Sequence, residues 1–428
     1  MKSKLKSLPF LVFIILLSQC FNELGRFGFH YEIGTYIIAF CKYIFIFYLI
    51  FLLKNKNLEK NIPSNVYGLF NWNIIWLLVT LFIGILNSTN YWDYKVIFIE
   101  SLPFYFLSYS IIFGAQFELF TKIVQIIFKY VFIIGFILIP AFLYMNQEIY
   151  SRFMVPVSFM ILLFPVLNLK NRFIVILVIA VSFITAFTFR SNILKIFFSV
   201  LILVLYYFRS FISLKFLKSL ILILYLSPIV LFFLGVFNIF NVFNQDIDQD
   251  KYTVNTVNFG EESMVADTRT FVYAELLKSM SDNNSFLIGE GGAAKYKTDA
   301  FQGLLNTHDK YRYASEVGIL NLLLSSGIIG VVLFFLLLYV VTYTGIVHSN
   351  NNICKYLALY IPFHWILMFI EEYSEFDMNN FIFWVVIGFI ASNKFRSLSD
   401  DEIRIYFFNI TRNKKIFSKY NASKLNMP

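Results

Sequence analysis

Charge is scarce in this chain of 428 residues: 14% of them are Asp, Glu, Lys or Arg, against about 25% in an ordinary soluble domain. Cysteine is scarcer still. Cys20, Cys41 and Cys354 are the only three, all in or beside hydrophobic segments, which excludes a disulfide framework and a cysteine zinc cluster. Eighteen glycines and nine prolines are too few for a collagen-like or low-complexity chain. What fills the sequence instead is apolar: 59% hydrophobic residues, 54 Phe and 27 Tyr, with a mean hydropathy of +0.70. Core burial saturates in soluble domains, so this excess must face lipid. The net charge of +9 is then read as loop orientation rather than as affinity for nucleic acid, because Lys and Arg accumulate in cytoplasmic loops.

Apolar runs long enough to cross a bilayer lie near residues 8–22, 33–53, 67–86, 95–115, 119–143, 153–168, 173–189, 191–208, 219–243, 325–347, 353–370 and 379–392. The expectation is an all-α polytopic membrane protein of about 12 transmembrane helices. Leu17-Ser18-Gln19-Cys20 has the outline of a lipoprotein cleavage site, but Gln19 is too large for the position before the cysteine, so residues 8–20 are read as a first span. With the N-terminus inside, most of the 35 basic residues fall in cytoplasmic segments: Lys2 to Lys6, Lys54 to Lys60, Lys122, Lys170 and Arg172, Arg209 to Lys218, Lys355 and the C-terminal tail. The short outer loops offer only Arg26, Arg152 and Arg190. The chain thus divides into a transmembrane region 1–243, a long periplasmic loop 244–312, a transmembrane region 313–392 and a basic amphipathic cytoplasmic tail 393–428 that suits an anionic lipid surface.

The long loop carries most of the chemistry. Asp246, Asp248 and Asp250 alternate like metal ligands, but Lys251 stands where a calcium loop needs Gly and Val257 where it needs Glu, so no metal site is assigned. Asp267 is a good N-cap, Arg269 follows in the first turn, and Val272, Leu276 and Met280 recur at helical spacing until Ser281-Asp282-Asn283-Asn284. A guanidinium beside free helix N–H groups suits a phosphate. Leu287-Ile288-Gly289-Glu290-Gly291-Gly292 reads as a tight turn, since no strand precedes it and no Gly-Lys-Ser/Thr follows. His308, Tyr311, Arg312, Tyr313 and Glu316 crowd polar groups just ahead of the next span, a placement that calls for a wet cavity.

Arg190 sits between two apolar runs at an outer end, where a basic residue is disfavoured. A central arginine costs about 2.5–3.5 kcal/mol on insertion, less near the interface, and either snorkelling to lipid phosphates or a fixed anionic ligand offsets it. Lys195, in the same span, is expected to extend that positive site or to pair with an acid such as Glu100, and His364 to be a hydrogen-bonded core residue.

Phe189-Arg190-Ser191, Arg269 ahead of Leu287-Ile288-Gly289-Glu290-Gly291, and Leu322-Leu323-Leu324-Ser325-Ser326-Gly327-Ile328-Ile329-Gly330 opening an apolar span make the chain resemble the O-antigen polymerase (Wzy) and O-antigen ligase superfamily. The order of spans and the place of the large loop extend the likeness over most of the chain. The resemblance implies a GT-C-like, metal-independent, inverting glycosyltransferase of the bacterial inner membrane, with no cofactor, acting at the periplasmic face on glycan carried by undecaprenyl diphosphate. By position, Arg190 and Arg269 are the counterparts of the diphosphate-binding arginines. The ligases carry a histidine shortly before the Gly-x-x-Gly of the next span; counted back from Gly327, Glu316 occupies that place and His308 lies farther upstream, so either is the candidate catalytic base. Tyr311, Arg312 and Tyr313 are candidate glycan or acceptor contacts. A chain-length regulator protein is an implied partner. Polymerase is the first expectation; ligase transfer to lipid A core, and a flippase or exporter of lipid-linked oligosaccharide, are the alternatives.

Overall fold

The computed structural model describes residues 2–26, 32–53, 61–145, 154, 159–185, 190–236, 253–256, 260–263, 270–298 and 311–412. Its regular structure is almost entirely helical. Helices α1 (Lys2–Arg26), α2 (Glu32–Leu53), α3 (Ser64–Asn87) and α4 (Tyr91–Ala115) form the first part of a bundle. Helix α5 starts as Phe117–Ile126 and continues through a π turn into Phe132–Met145. Then follow α6 (Leu169–Thr185), α7 (Arg190–Tyr207) and α8 (Leu214–Val236), the loop helix α9 (Thr270–Asp282), and α10 (Gly318–Val347). The last elements are α11 (Asn352–Leu357), α12 (Tyr360–Leu367), α13 (Met378–Ala391), α14 (Asn393–Ser397) and α15 (Asp400–Arg412). Among the described residues, six helices are long and apolar enough to cross a membrane.

Two expected spans take another form. Within 153–168 the described residues Phe159–Leu167 are 3-10 turns and bends rather than a helix. Pro165 opens the last of these turns, and Asn168 ends the irregular stretch by capping α6 through Asn171 N–H at 2.8 Å. The run 353–370 is split by a turn into α11 and α12, neither long enough alone to span. Outside the helices, the long loop forms an antiparallel hairpin, β1 (Thr253–Thr256) with β2 (Gly260–Ser263), and a short ladder, β3 (Tyr296–Lys297) with β4 (Tyr311–Arg312). Asp246, Asp248 and Asp250 lie outside the described residues.

The two ends of the bundle are built differently. At the end where α10 and α13 finish, α14 and α15 fold back and dock rather than merely resting on a surface. Asn351 donates to the carbonyls of Phe395 and Leu398, each at 2.9 Å, and accepts from Cys354 N–H at 2.6 Å. Asp400 accepts from Asn352 and Ile353, while Ile403 and Phe407 of α15 are buried, Phe407 beside Phe117 and Phe120. Deeper in, a β-carbon on Gly114 would lie 1.8 Å from the Val385 carbonyl, and one on Gly388 would lie 1.9 Å from that of Ile111. Only glycine allows α4 and α13 to approach so closely.

At the opposite end, α10 is broken. Gly327 has φ +64, outside the helical region, and the chain at 286–292 inserts beside the break. Glu290 N–H donates to Leu324 O at 2.8 Å and Gly291 N–H to Ser325 O at 3.0 Å, while Ile328 N–H donates to Phe286 O at 2.8 Å. Trp76 of α3 donates to Ser326 O at 2.9 Å. The carbonyls and amides freed by the break are thereby met, the condition for irregular backbone at membrane depth. Residues 328–347 alone measure about 30 Å at 1.5 Å per residue, the thickness of the hydrocarbon core, which puts Gly327 at its boundary.

Candidate functional site

Helix α9 forms where the periodicity of Val272, Leu276 and Met280 predicts it, and all three are buried. Its register fixes Tyr273 toward the bundle, where the phenol donates to Phe369 O at 2.6 Å. Arg269 immediately precedes this helix and lies, like His308, outside the described residues. Arg190 opens α7; its side chain lies outside the described part of the structure. One turn further along α7, Lys195 forms an ion pair at 2.7 Å with Glu371, both largely buried. Glu371 also accepts, through its carbonyl, from Gly318 N–H at 2.8 Å, and Met368 O accepts from Ile319 N–H at 2.9 Å. Residues 368–371 therefore join three segments: the helix that Arg190 begins, the helix that follows Arg269, and the start of α10 just after Glu316.

Of the remaining sequence candidates, Glu316 is half-exposed and pairs with Arg312 at 3.6 Å. Tyr311 is exposed on β4. Tyr313 donates to Asp93 at 2.8 Å and lies under the ammonium of Lys295, which is 4.8 Å from the ring centroid; Lys295 also pairs with Asp93. Burial works against the charge on Lys295, but its contacts with Asp93 and Tyr313 outweigh that and hold the ammonium above its ordinary range. Burial, then the hydrogen bond to Asp93, pushes the Tyr313 phenol upward. This triad locks β4 onto the start of α4.

Two expectations about partners are corrected. Lys195 pairs with Glu371 and not with Glu100, which is bound by Lys42 of α2. Lys42 also donates to Ile99 O at 3.0 Å, and Glu100 falls in the π turn Val96–Ser101, a distortion common at functional sites. His364 is buried but is not hydrogen-bonded among the described residues; it packs as an aromatic between Tyr360, Tyr373 and Phe383. The signal for Lys42 and Glu100 was present in the sequence, since each is an ionisable residue inside an apolar run, but nothing local pairs residues 58 positions apart.

The loop end holds two hollows. A groove of about 710 Å³ on the outer surface is lined by Asn87, Asp93, Asn283, Asn284, Glu290 and Lys295. A cavity of about 350 Å³ lies deeper, with Lys42, Asn73, Glu100, Asn321, Glu375 and Trp384 in its wall. Gly291 and Gly292 line its loop end together with Tyr313 and Ala314, so the inserted segment is a wall of the site as well as a clasp on α10. Near the same rim Asp377 caps α13 through Asn380 N–H at 2.8 Å; burial, then nearby Glu375, pushes its carboxyl up to about 7.

No family model, curated protein or solved structure matches the chain. What it does must be argued from these residues.

Proposed function

We propose that the protein is a polymerase of surface polysaccharide, O-antigen or a related polymer, in the bacterial inner membrane. It would transfer the growing glycan from undecaprenyl diphosphate to an incoming lipid-linked repeat unit at the periplasmic face, with both termini cytoplasmic and a GT-C-like arrangement of about twelve crossings. The observation that carries this reading is the junction at residues 368–371, on which the helix begun by Arg190, the helix behind Arg269 and the segment of Glu316 all meet.

In this reading Arg190 and Arg269 grip the diphosphate. The acceptor hydroxyl oxygen bonds to the anomeric carbon as the bond from that carbon to the diphosphate oxygen breaks, with inversion. The hydroxyl proton passes to Glu316 or His308, and the negative charge that develops on the leaving oxygen is met by the two guanidiniums. Lys195 is neutralised by Glu371 and so serves to position α7 rather than to add positive charge. Tyr311, Arg312 and Tyr313 would flank the glycan path, and a chain-length regulator protein would be a partner.

Deleting the gene and displaying surface polysaccharide on a gel tests the assignment. A single repeat unit on the lipid core is the expected result, and an unchanged pattern overturns it. Loss of all attached units would favour the ligase of the same superfamily. It would equally favour a flippase, a reading that the Lys42–Glu100 pair inside the helical bundle supports, since ionisable residues within spans mark transport paths. In complementation, Arg269→Lys should lower polymer yield at least about tenfold, because lysine lacks the bidentate fork; full activity would remove Arg269 from phosphate binding.

A further inference from the structure

We infer that the deep cavity bounded by Lys42, Asn73, Glu100 and Trp384 binds a neutral, polyhydroxylated ring, a sugar unit. Two polar side chains in its wall carry the argument. Asn73 of α3 is 2% exposed and Ser18 of α1 is 1% exposed, both line the cavity, and neither Asn73 Nδ2 nor Ser18 Oγ has a hydrogen-bond partner among the described residues. An unmet buried donor costs about 1–3 kcal/mol, and two on residues that line one hollow are what a hydroxyl-rich ligand would satisfy.

Charge decides which ligand. The wall has one lysine against three glutamates, Glu100, Glu372 and Glu375, and that lysine is already bound to Glu100. This excess of acid over base suits a neutral ring better than a diphosphate. Phe104, Tyr105 and Trp384 in the same wall offer flat apolar surface to the C–H faces of a sugar, and about 350 Å³ falls within the usual size of ligand sites. Tyr313, Ala314 and Gly318 also line the cavity, close in sequence to the half-exposed Glu316. Under the polymerase reading, on which the identity of the ligand as acceptor glycan rests, the ring held here would belong to the acceptor glycan. The diphosphate clamp and the sugar pocket are then separate sites of opposite charge.

The test uses the full-length protein in lipid nanodiscs. Saturation-transfer difference NMR is run with methyl glucoside, methyl rhamnoside, methyl galactoside and N-acetylglucosamine, and with spermidine as a charged probe. At least one sugar should bind with a Kd on the millimolar scale, and Asn73→Leu should weaken it about tenfold. Because Asn73→Leu removes an unmet buried donor, it should not lower the thermal midpoint. No sugar binding to folded protein, or unchanged binding in Asn73→Leu, overturns the proposal; spermidine binding that Asn73→Leu abolishes would make this a cation site instead. If sugars bind as expected but deletion of the gene leaves the polysaccharide unchanged, the pocket stands and the polymerase reading falls. If deletion yields single units while Asn73→Leu binds sugar and complements like the wild type, the pocket falls alone.

Discussion

The two ends of the bundle use the same materials to opposite ends. At the basic end, packing closes the structure: Asn351 uses both donor hydrogens and its carbonyl, Phe120, Phe389 and Phe395 stack in succession, and α15 docks over them, with Ser349 Oγ, Tyr356 OH and Arg396 Nε left as isolated buried atoms without a hydrogen bond among the described residues. At the loop end, a helix is broken, an irregular segment fills the break, and a cavity with unmet donors is left beside it. A membrane protein that needed only to be stable would have built both ends like the first. The open end is where stability has been given up, and sites that bind or react are drawn from such regions.

Substitutions can break this contrast. The largest effect is expected at Gly388: a leucine there would drive its β-carbon into the Ile111 carbonyl, and a clash with backbone exceeds the usual 1–3 kcal/mol, roughly, of core overpacking. Gly388→Leu should yield no monodisperse protein on size-exclusion chromatography; a stable, monodisperse variant would show that α4 and α13 need not approach closely. Next comes Gly291→Ala. Gly291 has φ +96, and a β-carbon would lie 2.2 Å from Gly84 N, a local strain of about 1–3 kcal/mol. Helical content by circular dichroism should survive while polymer formation is lost, and activity equal to wild type would separate the inserted segment from the site.

Asp377 sharpens the contrast by pH. Its carboxyl is raised in the folded protein to about 7, above an unfolded value near 3.9. The folded state therefore holds the proton more tightly, and stability is fully present at low pH and declines as pH rises through 7. Thermal melts should show a loss of about 1 kcal/mol between pH 6 and pH 8. Asp377→Asn, which can still cap α13, should flatten that slope; a slope that persists assigns it to another group. The smallest effect belongs to the closed end. Arg404 reaches the buried Tyr206 at 3.2 Å and the exposed Asp401 at 3.5 Å, so Arg404→Ala should change stability by no more than about 1 kcal/mol.

How much was legible divides along the same line. Helix α9 was written in the spacing of Val272, Leu276 and Met280, and the apolar runs marked the long helices, because a helix buries one local stripe or one local run. The insertion of Leu287 to Gly292 beside Gly327 was not legible; its glycines signalled a turn, and only the tertiary contact reveals that the turn repairs a helix. The pairing of Lys195 with Glu371 had the same difficulty, since any buried acid satisfies a lysine equally in sequence. Within the expected span 153–168 the described residues 159–167 are irregular rather than helical, because hydropathy measures burial and cannot distinguish lipid from protein as the apolar surroundings. Phe159, Met160, Ile161 and Leu163 are buried inside the molecule.

The inserted segment also sets an order of assembly. Gly292 N–H reaches Thr80 O at 3.1 Å, and Trp76 reaches Ser326 across 250 residues of chain. Such distant contacts close only after the intervening helices are in place. Until then the Gly84 face of α3 waits uncovered in the membrane, through the synthesis of most of the protein. The loop end is thus finished only after Ser326 has been made, and an incomplete chain can have its first helices inserted without yet having the cavity.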